Sequence, residues 1–135
     1  MPFTNFAISR MLNYYFGSTS GSPPATYYFG LSTTPITAAG TGDTEPTSGS
    51  YARASATNNK TTWTTTTTSD RTIENKIVIS FPAATAAWGT IVDVGAYDAA
   101  TGGNLWYYWP LASPVAAQNL ATQSFSASSI TATFV

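Results

Sequence analysis

Neither cysteine nor histidine occurs anywhere in this chain. Their joint absence removes disulfides, thiolate nucleophiles, zinc–thiolate and zinc–imidazole sites and the commonest general base, and it leaves the redox compartment undetermined. Charge is scarce as well: Asp, Glu, Lys and Arg make up 8% of the residues and net to −1, against roughly 25% in ordinary soluble proteins. With five Lys and Arg in total there is no basic stripe, so the counterion release that drives non-specific nucleic-acid binding has little to act on. Long apolar runs are also missing, and Met1-Pro2-Phe3-Thr4-Asn5 lacks a basic region followed by an apolar one. A membrane span and a secretory leader are therefore not expected, and the protein is expected to be made and kept in a soluble compartment.

What is present is apolar and aromatic. Hydrophobic residues make up 43% of the 135 positions and Phe, Trp and Tyr 14%, enough for a real core in one domain. Disorder would require the opposite balance, low hydrophobicity with high net charge. A neutral surface rich in Thr, Ser and Ala offers little repulsion between copies, which suits a molecule that works inside an assembly.

Residues 4–16 carry a helical period: Ile8, Met11, Leu12 and Tyr15 recur at i, i+3, i+4 and i+7, with Thr4 placed as N-cap and Gly17 as stop. Residues 18–24 are Ser, Thr, Gly and Pro without period. A helical arm and linker over 1–24 and a β domain over 25–135 are the expected organisation. From Thr26 the period becomes two, with Tyr27, Phe29 and Leu31 on one face. Residues 33–50 form a long Gly/Pro-rich loop of the kind that carries contacts. Residues 51–57 are a strand whose inward face the pattern leaves open, with Ala52, Ala54 and Ala56 or Tyr51 and Arg53 inside. The threonine run 61–68 around Trp63 predicts an edge strand. Residues 73–81 predict one strand with Ile77, Ile79 and Phe81 inward, ended by Pro82.

Trp88, Thr90, Val92, Val94 and Ala96 alternate against Ile91, Asp93 and Gly95. The turn Asp98-Ala99-Ala100-Thr101-Gly102-Gly103 leads into Leu105-Trp106-Tyr107-Tyr108-Trp109, a hairpin. Alternation would send Trp106 and Tyr108 to one face and Tyr107 and Trp109 to the other. Pro110 and Pro114 are expected to break the ladder. Residues 123–125 and 129–135 close the chain, with Ile130, Ala132 and Phe134 inward. The sum is an all-β fold, an antiparallel β-sandwich of about seven or eight short strands, jelly-roll or immunoglobulin-like, with a short N-terminal helix or arm.

Few residues invite chemistry. The carboxylates Asp43, Glu45, Asp70, Glu74, Asp93 and Asp98 sit among ordinary loop and strand residues, with nothing to bring two of them to a glycosidase separation. Asp43 and Glu45 could donate oxygens to calcium, but the dense acidic loop of an EF-hand is missing. One threonine-rich strand reads as an edge strand before it reads as an ice-matching array. Trp106 and Tyr108 could stack on a sugar.

Two blocks then resemble a known group. Tyr28-Phe29-Gly30-Leu31-Ser32-Thr33, Pro35, Ala39-Gly40-Thr41-Gly42, Glu45, Gly49 and Tyr51-Ala52-Arg53 form the first. Phe81-Pro82-Ala83-Ala84-Thr85-Ala86, Trp88-Gly89-Thr90-Ile91 and Gly95-Ala96-Tyr97-Asp98-Ala99-Ala100-Thr101-Gly102-Gly103-Asn104-Leu105 form the second. In this order they resemble small tailed-bacteriophage virion proteins labelled tail fibre, head decoration (cement) or head-fibre base proteins. The pattern departs at Gln118-Asn119-Leu120, where a Gly-Asp pair is usual.

The resemblance implies a non-enzymatic virion protein without cofactor or metal, assembled in the host cytoplasm. Its implied partners are itself, as a homotrimer, and the major capsid protein, with no nucleic acid and no membrane. Capsid decoration on the head exterior is the first expectation, a tail or head-fibre component the second, and a carbohydrate-binding sandwich the third. The residues expected at interfaces are Met11, Tyr14, Tyr15 and Phe16 in the arm, Pro35, Thr41, Asp43 and Glu45 in the long loop, and Trp106 and Tyr108 in the aromatic run.

Overall fold

The computed structural model describes residues 2–17, 21–65, 69 and 71–133. One helix, α1 (Asn5–Tyr15), precedes eight strands: β1 (Thr26–Ser32), β2 (Ala54–Thr57), β3 (Thr72–Glu74), β4 (Ile79–Ala83), β5 (Gly89–Tyr97), β6 (Leu105–Ala117), β7 (Thr122–Phe125) and β8 (Thr131–Thr133). A four-stranded antiparallel sheet in the order β2-β1-β5-β6 packs across a shared core from two two-stranded sheets, β3-β8 and β4-β7. The fold is thus an all-β antiparallel sandwich with a short N-terminal helix.

The alternation in β1 works as the sequence implies: Tyr27, Phe29 and Leu31 are buried, each contributing about 1.5–3 kcal/mol relative to exposure. An aromatic chain then crosses the core, Trp63 to Phe29 (6.3 Å between ring centroids), Phe29 to Trp109 (6.0 Å), Trp109 to Phe125 (5.8 Å) and Phe125 to Phe81 (6.0 Å). In β2 the open choice of face resolves with Ala54 and Ala56 inward. Their small side chains leave room for Phe29, which pairs with Ala54.

Several expectations are corrected. Residues 61–63 form a turn closed by Asn59, whose Oδ1 accepts from the Thr61 and Thr62 amides, and Trp63 makes only an isolated bridge to Asn75. Thr66, Thr67 and Thr68 lie outside the described residues, as do Asp70 and Phe134. The expected strand over 73–81 is two strands in different sheets. Between them the fully buried Asn75 donates to the Ile77 and Ser126 carbonyls (2.9 and 2.7 Å) and accepts from Ile130 N (2.8 Å), a side-chain anchor in place of a ladder. Ile77 is consequently 44% exposed, whereas Ile79 and Phe81 are buried. Pro82 lies inside β4, at a register irregularity between Ser80 and Ala83 where its missing N–H costs no ladder bond.

The β5–β6 hairpin forms, but with two register shifts. Ala96 pairs with Tyr107 while Tyr97 pairs with Leu105, so Trp106 is an extra residue and joins Tyr107 and Trp109 against the main core instead of following Tyr108. Tyr108 instead packs with Tyr28 against Ile36, Tyr97 and Leu105. The second shift takes β6 from Pro110, opposite Asp93, to Val115, opposite Ile91. The prolines therefore sit within the strand where it departs from its partner, and Ile91 falls on the same buried face as Val94 and Ala96.

The helix is capped as expected: the Thr4 hydroxyl accepts from Ala7 N (3.2 Å), and Gly17 adopts φ +74°. Its apolar stripe faces largely outward. Ile8, Leu12, Tyr15 and Phe16 are exposed, and Thr4 and Ala7 are fully buried. Backbone bonds decide this: Thr4 N donates to Trp106 O (3.0 Å), Asn5 N to Ala38 O (2.8 Å), and Tyr108 N to Pro2 O (3.2 Å). Phe3 and Phe6 then pack on Tyr107 and Trp106, with centroids 4.8 and 5.5 Å apart. No helix among the described residues is long and apolar enough to cross a membrane.

Candidate functional site

Two polar or concave features stand out, a fastening network under the long loop and a cleft beside the helix. The network begins with glycine. Gly30 and Gly95 face each other across β1 and β5, and a Cβ on Gly95 would lie 2.7 Å from Leu105 Cδ1 and 2.8 Å from the Tyr97 ring, while one on Gly30 would strike the Glu45 carboxylate. The dent they leave lets residues 33–50 fold down onto the sheet.

Arg53 lies over the Tyr97 ring, 3.4 Å from its centroid. Its Nη2 donates to Glu45 Oε2 (2.6 Å) and its Nη1 to the Ala99 and Gly102 carbonyls (2.8 and 2.7 Å). Tyr51 O–H donates to Glu45 Oε1 (2.6 Å), and Tyr97 O–H to Asp43 Oδ2 (2.8 Å). Burial first, and then these bonds to carboxylates, push both phenols far above their ordinary range. Asp93, buried on the same face, accepts from Ile36 N (2.8 Å). Asp43 and Glu45 thus hold the loop to the sheet through partners of their own, and Pro35 and Thr41 are exposed on its outside.

The cleft lies between α1 and the sandwich and encloses about 570 Å³, a size typical of ligand pockets. Its floor is aromatic: Tyr27, Phe29, Trp63, Trp106 and Tyr107, with Met11, Tyr14 and Tyr15 of the helix on the opposite wall. Tyr27 and Tyr107 share one hydrogen bond between their hydroxyls (3.3 Å). Burial pushes both phenols up, so both remain neutral and one proton of the pair is left to donate. Arg10, Lys60 and Arg71 also line the cleft, three of the chain's five cations, and no carboxylate is among the described lining residues. Two donors there lack a partner, Arg10 Nε and Trp63 Nε1.

Residues 2–133 match the family model described as podophage GP4 fiber I protein gp80. The chain belongs to this family. No match is found among curated proteins. In this fibre-family member the residues expected at interfaces fall into separate places. Met11, Tyr14, Tyr15 and Trp106 come together at the cleft, and Phe16 stands exposed beyond it. Asp43 and Glu45 belong to the loop network, with Pro35 and Thr41 outside, and Tyr108 packs in the small second core.

The sequence reading missed Arg10, Tyr27, Lys60, Trp63, Arg71 and Tyr107 as cleft residues. Only the rarity of charge marked them, since three cations that fold together are separated in the chain by up to 61 positions, from 10 to 71.

Proposed function

We propose that this chain is a structural, non-enzymatic fibre component of a phage virion that self-associates, as a homotrimer, and docks on other head or tail proteins. The observation that carries the reading is the match to a phage fibre family over nearly the whole chain. That description supports a fibre ahead of the capsid-decoration role expected first from the sequence.

The surface is consistent with repetition. Ile8, Leu12 and Phe16 present an apolar ridge on the outer side of α1, with Leu12 53% and Phe16 82% exposed. Such ridges mark contact surfaces in assemblies. Weak, nearly neutral contacts gain strength when they are repeated around a symmetry axis. Met11, Tyr14, Tyr15 and Phe16 are the proposed helix contacts, and Pro35 and Thr41 the outward loop contacts.

Copy number tests the proposal. Quantitative mass spectrometry of purified virions should find a small number of copies per particle relative to the major capsid protein. A ratio near one per capsid subunit would instead establish decoration, and absence from the particle would remove the virion role altogether.

A further inference from the structure

The cleft beside α1 shares Met11, Tyr14 and Tyr15 with the helix contacts proposed above, and its remaining walls have the chemistry of a binding site. Trp63 lines the cleft and is 8% exposed, and its buried indole N–H has no acceptor. A buried donor left unmade costs about 1–3 kcal/mol, and such groups in folded proteins are satisfied when a ligand or a water arrives. Arg10 Nε is in the same condition on the facing wall. Its guanidinium lies beside Gly21, where an added Cβ would come within 3.3 Å of Cζ. The walls therefore offer donors without partners, and they lack carboxylates among the described residues while holding Arg10, Lys60 and Arg71. An occupant that supplies acceptor oxygens and negative charge complements them.

The floor adds a second requirement. Tyr27, Trp63, Trp106 and Tyr107 line it, an aromatic surface of the kind that suits the flat C–H faces of a pyranose, and the Tyr27–Tyr107 pair keeps one hydroxyl proton to donate. We propose that this cleft binds an acidic saccharide, with a sugar carboxylate at Arg10 and Trp63 Nε1, the ring over the aromatic floor, and Lys60 and Arg71 at the rim. An extended acidic peptide would satisfy the charge but not the stacking.

The test uses the full chain, ¹⁵N-labelled, titrated with a galacturonic acid oligomer, and follows the tryptophan indole N–H resonances. Trp63's signal is assigned as the one lost in Trp63→Phe. The expected result is a saturable shift of that resonance that weakens with salt and is much smaller for the methyl-esterified oligomer. Arg10→Gln and Trp63→Phe should each lower affinity on the order of tenfold, one hydrogen bond to a charged group. The exposed double variant Lys60→Gln/Arg71→Gln, which leaves the core untouched, should lower it several-fold, as screened rim charges do.

The proposal is overturned if the acid oligomer leaves the Trp63 resonance unmoved. It is likewise overturned if the methyl ester binds equally well, or if polyglutamate shifts Trp63 with the same affinity, which would make the occupant a peptide. None of these results depends on copy number in the virion, so the fibre reading and this one stand or fall separately.

Discussion

Replacing Glu45 by alanine removes one side of an ion pair whose other side cannot escape to water. The Arg53 side chain is 5% exposed and Glu45 22%. In the variant Arg53 loses the acceptors of Nε (3.0 and 3.1 Å) and Nη2 (2.6 Å). It keeps only the Ala99 and Gly102 carbonyls and the face of Tyr97. Tyr51 O–H loses its acceptor as well. Breaking a buried pair from one side costs about 3–5 kcal/mol. The partial exposure of Glu45 lets water reach the vacated side, so about 2–4 kcal/mol is the working figure. For a domain of this size that corresponds to a fall in Tm of about 8–15 °C. Calorimetry reads it directly, and hydrogen exchange should place the loosening in residues 33–50. The double variant Glu45→Ala/Arg53→Met should recover part of the loss, because the orphaned charge is gone. A single-variant shift below about 2 °C, or a double variant no better than the single, would refute the claim that this pair fastens the loop.

Two other outcomes follow from the same coordinates. Leu12→Glu combined with Phe16→Glu should reduce self-association in light scattering while changing monomer stability by no more than about 0.5 kcal/mol, since both side chains face solvent. An unchanged assembly state would remove the helix ridge from the interface. In the β5–β6 turn, burial pushes the Asp98 carboxyl up. Bonds from the Asn104 side chain and backbone and from Trp106 Nε1 outweigh it and hold the carboxyl below its ordinary 3.8. A depressed acid stabilises the fold above its unfolded value and loses that contribution as pH falls through the folded one. The Tm gap between the native chain and Asp98→Asn should therefore be full at neutral pH and close below 3.8. A gap that persists in acid would mean that charge is not what Asp98 contributes.

Where local pattern and tertiary demand coincide, the sequence is a good guide, as in β1, in the Asp98–Gly103 turn and in both caps of α1. It misleads where a single residue resets the pattern. Trp106 bulges and changes sides, Asn75 divides one expected strand into two, and Ile91 regains the core face only after β6 departs at Pro110. The helix shows a different limit. Periodicity identifies the apolar stripe but not what lies opposite it, and main-chain bonds from residues 2–5 to β6 and Ala38 turn the small face, Thr4 and Ala7, inward. The loop acids looked like contact residues because the donors they accept from, Tyr51, Arg53 and Tyr97, could not be matched to them without the fold. The cleft was illegible for the same reason: an unpaired indole N–H is a property of surroundings and has no signature in sequence.

The outer margin of β6 has a consequence for a molecule displayed in many copies. Over residues 106–108 the chain's own residues 2–4 already occupy the free backbone groups, and farther along Pro110 and Pro114 have no N–H to offer. A second copy arriving at this margin finds no continuous row of donors on which to extend the sheet. Sheet-to-sheet polymerisation, the hazard of a neutral, threonine-rich protein at high local concentration, is blocked there by the covalent chain itself. At this margin association is left to side-chain surfaces, which can be specific and finite in number.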